Sequence, residues 1–533
     1  MKHFLFIIAV VMGQSVLAAD EAKPLARQVS AELVEPAIHK KLRKPTGEPT
    51  TAQPQIRLAQ ADPNPRRPRV PANPPPHSQT LYRPKLVNNK SQEFHDFPMG
   101  VLSATGRLSN GERRILVMDI GKDGAAARGG LAVGDRIALI RGQRPAPFSM
   151  KTDAGLTGPQ EALAAAIEQA CATGPHQLQL SVLRKNKMIP IKITVPASAA
   201  FAASFPRNCA KRRKYLAGIA RHLVATQRKD GSWQPGVGGD ADVYMSAFCA
   251  LAVLADDRKA YRPTIERAIG FIRQKSISTI NPGNPKVGPK SWQAASSAIL
   301  LAEYHLATGD GKVLGDLKKC CDLLSGRVTQ RGTMGHHYIV GYNGGGLVII
   351  NTQAHLAWAL AAKCGYQVDK AAWDRSLKEI RGSIDGKTGA IGYSSRAPWS
   401  PDIAARTGAM AAALAIAGQE PRLARQFSDA LVARQGRMRH AHAMSSIGLI
   451  YGMSGIKLVD PKGHQQVMRK WQPYLELCRN SVGSAVYFGG KHNIGGDQYL
   501  GLHPIGNATV ALMLASAEEK LFMHGGVRKN WLR

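Results

Sequence analysis

The chain is short of acid and of cysteine. Asp and Glu number 37 against 71 Lys and Arg, leaving a formal net charge of +34. Such an excess suits a polyanionic partner, and the basic residues are spread along the chain rather than blocked. Zinc-finger spacing, an aromatic RNP-like strand and a basic zipper are all missing, so nucleic acid is not an expected partner. Seven cysteines in 533 residues are too few for a disulfide scaffold. With no C-x-x-C pair there is no support for a zinc or thioredoxin-type site, and neither metal nor cofactor is expected. Cys320 and Cys321 are vicinal on a helix, which strains any bridge between them. Cys171 and Cys209 flank the last strands of one domain, which leaves a bridge between them open.

The apolar run Phe4 to Met12 is too short to span a bilayer. It follows the basic start Lys2-His3 and precedes Val16-Leu17-Ala18, so residues 1–19 read as a secretory signal. The expected location is therefore periplasmic or extracellular, with no transmembrane anchor after cleavage; an uncleaved anchor is the alternative. Residues 20–93 are Pro-rich and basic, as in Pro63-Asn64-Pro65-Arg66-Arg67-Pro68. Without apolar periodicity such a stretch cannot offset the entropy of ordering, so it reads as a disordered linker.

From 94 to 198 the pattern changes to short strands: Arg114 to Asp119, Arg136 to Ile140, Leu178 to Leu183 and Met188 to Val195. A short helix, Ala125-Ala126-Ala127, leads through Gly130-Leu131 into Val133-Gly134-Asp135-Arg136-Ile137, and a longer helix runs from Ala162 to Cys171. This order resembles a circularly permuted bacterial PDZ domain. The resemblance implies a groove that takes protein C-termini or extended peptides as an added strand. It places the carboxylate loop at Met99, Gly100 and Val101, and the groove wall at Leu163 and Ile167.

Residues 208–525 are helical and Ala-rich. Six charged helices, Lys211–Gln227, Tyr261–Lys275, Val313–Arg327, Lys370–Ser383, Arg422–Arg434 and Gln465–Arg479, are each followed by a more apolar one. The apolar set is Asp242–Ala255, Trp292–Ala307, Thr352–Lys363, Ile403–Ala417, Met444–Met453 and Ile505–Ala517. Six such pairs predict a closed double ring with the apolar helices inside. The first turn, Gln227 to Trp233, carries the Q-x-x-x-G-x-W pattern of α/α toroids, and the repeats resemble the terpenoid-cyclase and prenyltransferase toroid. The expected fold is thus multidomain α+β: an N-terminal PDZ-like β domain followed by an all-α (α/α)6 toroid. The whole arrangement resembles secreted bacterial proteins of planctomycete type, a resemblance that brings no activity with it.

In an alternating ring every charged-to-apolar connection emerges at one end. Those connections hold His336, His337, Tyr338, Tyr342, Asn343, Tyr393, Arg396, His440 and His442, with Tyr487, His492, Asn493, Asp497, Gln498, Tyr499 and His503. The opposite turns, such as Gly309-Asp310-Gly311, are short and plain. The loop end is therefore the candidate cleft, while Trp233 and Trp292 read as structural plugs of the hairpins. Terpene-cyclase chemistry is disfavoured because the D-x-D-D pattern fails at Val243, leaving Asp242 as a helix cap. Cys249 lacks the Asp and His partners of a prenyltransferase zinc set. A hydrolase needs two facing carboxylates, and only Asp402 and Asp497 are obvious at this end. A lyase needs a neutralising Asn, Arg or His and a Tyr or His base, which Asn343, Arg396, His337, Tyr338 and Tyr342 supply. Two functions stay open: an exported binding or scaffold protein with a peptide-binding domain and a toroid cleft, or a toroid enzyme, lyase or hydrolase, acting on an acidic polysaccharide or envelope polymer.

Overall fold

The computed structural model describes residue 82 and residues 93–233, 241–338, 346–398, 403–439, 445–486 and 502–527. The stretch read as a signal, and that read as a linker except residues 82 and 93, lie outside the described residues. Tyr82, inside the stretch read as linker, is an exception. Its hydroxyl lies 2.7 Å from Thr105 Oγ1 and donates to Asp119 Oδ2 at 3.1 Å.

A six-stranded antiparallel sheet forms the first domain, with strands β1 (Phe94–Pro98), β2 (Ala104–Ser109), β3 (Ile115–Ile120), β4 (Arg136–Ile140), β5 (Gln177–Arg184) and β6 (Lys187–Thr194) in spatial order β1-β2-β3-β4-β5-β6. Alternation sets its faces: along β5, Leu178, Leu180 and Val182 are buried while Gln177 and Gln179 are exposed. Helix α1 (Ala125–Arg128) links β3 to β4, and α2 (Pro159–Ala172) packs on β4 and β5.

Inner helices α4 (Ala241–Asp257), α6 (Ser291–Thr308), α8 (Val348–Lys363), α10 (Ala404–Ala417), α12 (Ser445–Val459) and α15 (Leu502–Ala515) each pack on the next, and α15 packs back on α4. The ring is therefore closed. Outside it lie α3 (Ala210–Thr226), α5 (Arg262–Lys275), α7 (Leu314–Gly326), α9 (Lys370–Gly382), α11 (Pro421–Ala433) and the pair α13 (Pro461–Lys470) and α14 (Gln472–Cys478). Amphipathicity explains the layering. In α11, Ala424, Phe427, Ala430 and Leu431 face inward while Arg422, Arg425 and Asp429 are exposed. In α8, by contrast, Val348 through Ala361 are all buried.

Small residues let the inner helices touch. A Cβ on Gly408 would lie 2.4 Å from the Tyr451 carbonyl, and one on Gly455 would lie 2.5 Å from the Gly408 carbonyl. The final outer helix is not continuous as the sequence pattern implied. It breaks at Trp471 because Pro473 enters the first turn of α14, where it can neither donate nor clear the preceding turn.

The glutamine–glycine–tryptophan turn is a stitch between hairpins. Gln227 Nε2 donates to Gly231 O and Thr264 O, both at 2.9 Å, and Arg267 holds Gln227 Oε1. Trp233 is fully buried and its indole donates to Leu223 O at 2.8 Å. Gly231 sits at φ +90° with its α-carbon against the Arg267 carbonyl, a place no side chain fits. Cys171 and Cys209 do not pair. Both are buried free thiols, Cys171 beside Arg479 and Cys209 taking the Ala202 N–H.

Candidate functional site

Two regions were expected to bind something: the groove of the β domain and the loop end of the ring. In the groove, Met99, Val101, Leu163 and Ile167 are all fully buried. The edge of β2 that would receive a peptide is already paired with β1, Phe94 opposite Ser109 through Pro98 opposite Thr105. Helix α14 lies across α2 and the Gly100–Leu102 turn. Gly100 has φ +60°, and a Cβ there would meet the Glu476 carbonyl at 2.8 Å. The difference from the expected open groove is one of long-range packing: the chain fills the site with its own strand and its own helix.

Polar groups lock that junction. The Glu476 carboxylate is buried between Lys211 Nζ, at 2.6 Å, and the Arg479 guanidinium, which also reaches Cys171 Sγ at 3.5 Å. Burial alone would raise the Glu476 pKa, but Arg479 and Lys211 outweigh it and hold the carboxyl below its usual range. Arg439 adds a bond to Gly155 O at 2.8 Å, and Arg437 pairs with Asp153.

At the other region, the long connections into α4, α6, α8, α10, α12 and α15 all arrive at one end, whereas the return turns at Gly309, Gly418 and Asp460 are short. Among the described residues, Asp242 is the only acidic side chain in the first turn of any inner helix. It lies inside that turn and takes the Val243 N–H at 2.8 Å. Six helix N-termini, with Asp242 alone acidic in their described first turns, make this end favourable to negative charge.

Tyr342, Asn343, His440 and His442 lie outside the described residues, as do Asp402 and the stretch from Tyr487 to Tyr499. His336 is brought against Trp292, whose indole N–H donates to His336 Nδ1 at 2.6 Å. Burial first, then Lys290 and His337, lower the His336 pKa, so the ring is neutral at pH 7. With Nδ1 accepting, its proton sits on Nε2, and His336 acts as a donor there. Trp292 is thus half-exposed and engaged at the loop end, unlike the plug Trp233. His337 and Tyr338 are exposed, with Lys286 Nζ 5.5 Å from the Tyr338 ring. Tyr393 is brought under the buried guanidinium of Arg406, 5.7 Å from its centroid. Arg396 is exposed on the Ser394–Ala397 turn beyond it.

The sequence pattern passed over the residues beneath. Ring centroids step from His336 to Trp292 (6.0 Å), to Tyr244 (6.0 Å), to Phe248 (4.8 Å) and to Tyr451 (6.0 Å). Tyr244 also interacts through its hydroxyl with Gln353 of α8 and with Tyr451. Burial raises both phenol pKa values, so the hydroxyls stay protonated. Gln353 stands beside Asn351, Thr352 and His355 on α8, so its position alone gave no signal.

The family model described as "Domain of unknown function (DUF6288)" matches residues 217–525. Among solved structures, the chain is similar to the α-1,6-mannanase GH76A of Salegentibacter sp. HEL1_6 in complex with α-1,6-mannotriose. That match has 12% identity over 57% of this chain and 99% of that one, with a TM-score of 0.42. A type II terpene cyclase, MstE from Scytonema, gives 13% identity over 57% and 97%, with a TM-score of 0.40. A protein from Actinoplanes gives 15% identity over 57% and 99%, with a TM-score of 0.41. No curated protein matches the sequence. The matched family region takes in more than half of the chain and all of the inner ring, and the chain belongs to the DUF6288 family.

Proposed function

We propose that this is an exported protein whose ring binds an acidic polysaccharide, or a comparable carboxylate-bearing envelope polymer, at the end where the inner helices begin. The observation that carries the reading is the donor-rich lining of that end. Helix N-termini, His336 beside Trp292 and the Arg406 guanidinium beside Tyr393 all lie at that end, with Asp242 the only acidic residue in the described first turns. In this reading the β domain, PDZ-like in the order of its elements, serves as a scaffold docked on α14. Peptides enter its groove only by displacing β1 or α14.

A second reading, elimination at a uronate, has its own support. His336 offers a hydrogen-bond donor to a carboxylate, and His337 and Tyr338 stand exposed beside it as candidate bases. One titration separates the two. The full chain is mixed with polygalacturonate, alginate or hyaluronan at several salt concentrations, while unsaturated product is followed in the ultraviolet. Salt-sensitive binding without product supports the binder, and product supports the lyase. No binding to any of the three overturns both.

A further inference from the structure

On the outer wall of the ring, α11 and the turn that carries Thr388 border an open cleft of about 510 Å³, lined on the helix side by Arg422, Arg425, Gln426, Asp429 and Arg434. Its shape follows from spacing. Arg422, Gln426, Ala430 and Arg434 stand four residues apart and form one stripe, and the buried Ala430 leaves that stripe hollow before its last arginine. Gln426 Nε2 donates to Gly389 O at 3.1 Å and ties the turn to the helix as the facing wall. The carboxylates in reach are already engaged. Asp429 pairs with Arg425 at 2.8 Å, Asp385 accepts the Thr388 hydroxyl at 2.8 Å, and Asp153 pairs with Arg437. Arg434 lies within electrostatic range of Asp153 and Asp385 without closing a salt bridge to either. Exposed Arg422 makes no ion pair among the described residues. It sits in the first turn of α11, where a cation opposes the helix dipole, so helix stability does not account for it.

We propose that this cleft is a second binding site, which takes an extended stretch of acidic polysaccharide along the outer wall; the ligand class rests on the acidic-polymer reading of the ring. Helical rise puts about 18 Å between Arg422 and Arg434. A small anion meets one of them. A chain that carries a carboxylate or sulfate on successive sugars meets both, and its second contact forms at high effective concentration. Each guanidinium pairs with such a group through two N–H donors. Between them Gln426 offers its amide oxygen and remaining N–H to sugar hydroxyls. The direction of α11 fits as well. It runs from the short turn at Gly418 to Arg434, where the connection into α12 begins, so the cleft leads toward the loop end.

The test uses the full chain, a double variant Arg422→Gln with Arg434→Gln, and Arg406→Gln as the loop-end comparator. Binding is measured by calorimetry with polygalacturonate, with heparin and with digalacturonate, which is too short to bridge the two arginines. The thermal midpoint is read in parallel. The double variant is expected to lose tenfold or more in affinity for polymer, with a weaker dependence on salt. Its midpoint and its binding of digalacturonate should stay as in the wild type, because both side chains lie at the surface. A loss with polygalacturonate alone assigns the cleft to carboxylated chains, and a loss with heparin alone assigns it to sulfated ones. If the double variant binds both polymers as the wild type does, the cleft is overturned and the loop-end reading stands. If it loses the polymers while Arg406→Gln changes nothing, the cleft stands and the loop-end reading falls. If the wild type binds neither polymer, both fall.

Discussion

The groove of the β domain and the loop end of the ring were both legible as concave, ligand-ready places, yet the folded chain treats them oppositely. In the groove the buried charge is answered from within: Glu476 sits between Lys211 and Arg479, and the edge of β2 is taken by β1. At the ring axis the neutral side chains of Tyr244, Gln353 and Tyr451 face one another. The groove junction is fastened by buried opposite charges, whereas this part of the ring axis brings together neutral polar side chains.

The largest effect that sharpens this comparison is expected at the groove. Lys211→Ala strips one cation from the buried Glu476 and is expected to cost about 3–5 kcal/mol, read by urea denaturation. A loss below about 1 kcal/mol would show that the junction does not hold the two domains together. Glu476 has its pKa depressed, so its contribution is full above the unfolded carboxyl value and fades as pH falls through the folded one.

Glu303 runs the other way. It is fully buried without a cation, accepts the Phe522 and Met523 N–H groups at 2.7 Å, and is pushed up to about 7 by burial. Its contribution is complete below about pH 4.5, the usual value, and is lost as pH rises through about 7, a swing of up to about 3 kcal/mol. Glu303→Gln should flatten the stability curve across that window and leave the acid limb to Glu476. Thermal midpoints taken across the pH range decide it.

Gly100→Val comes next in size. A branched side chain at φ +60°, against the Glu476 carbonyl, should cost about 2 kcal/mol. It should also speed hydrogen exchange in α14 while leaving the ring's inner helices protected. An unchanged α14 would mean that the groove does not grip that helix.

The smallest effect belongs to the loop end. Arg406→Gln should weaken an acidic oligosaccharide about tenfold, or about 1.4 kcal/mol, and lower the salt dependence of binding. Equal loss for acidic and neutral sugars would show a structural role for Arg406 instead.

Much of the ring could be read in advance because amphipathicity is a local property. The spacing of Ala424, Phe427 and Leu431 against Arg422, Arg425 and Asp429 fixes which face of that helix goes inward before any partner is known. The break at Trp471 was missed although Pro473 stood in plain view, because the flanking residues keep helical periodicity on both sides. His336 was found as a polar residue on a long connection. Its pairing with Trp292, 44 residues earlier, has no local signature, so the indole was taken for another plug like Trp233. The meeting of Tyr244, Gln353 and Tyr451 was invisible for a similar reason: a Gln or Tyr on an inner helix reads the same whether it faces a neighbour or the axis.

By itself, then, the sequence determined the alternation of charged and apolar helices, the shared direction of the inner six and hence the end at which their long connections gather. These follow from side-chain periodicity and chain reversal, which act over a few residues at a time. Tertiary structure decided that α15 returns to α4, that β1 and α14 occupy the groove, and that Tyr244, Gln353 and Tyr451 meet on the axis. Those outcomes depend on the radius at which the ring closes and on which surfaces then come within reach, and such distances exist only once the whole chain has packed.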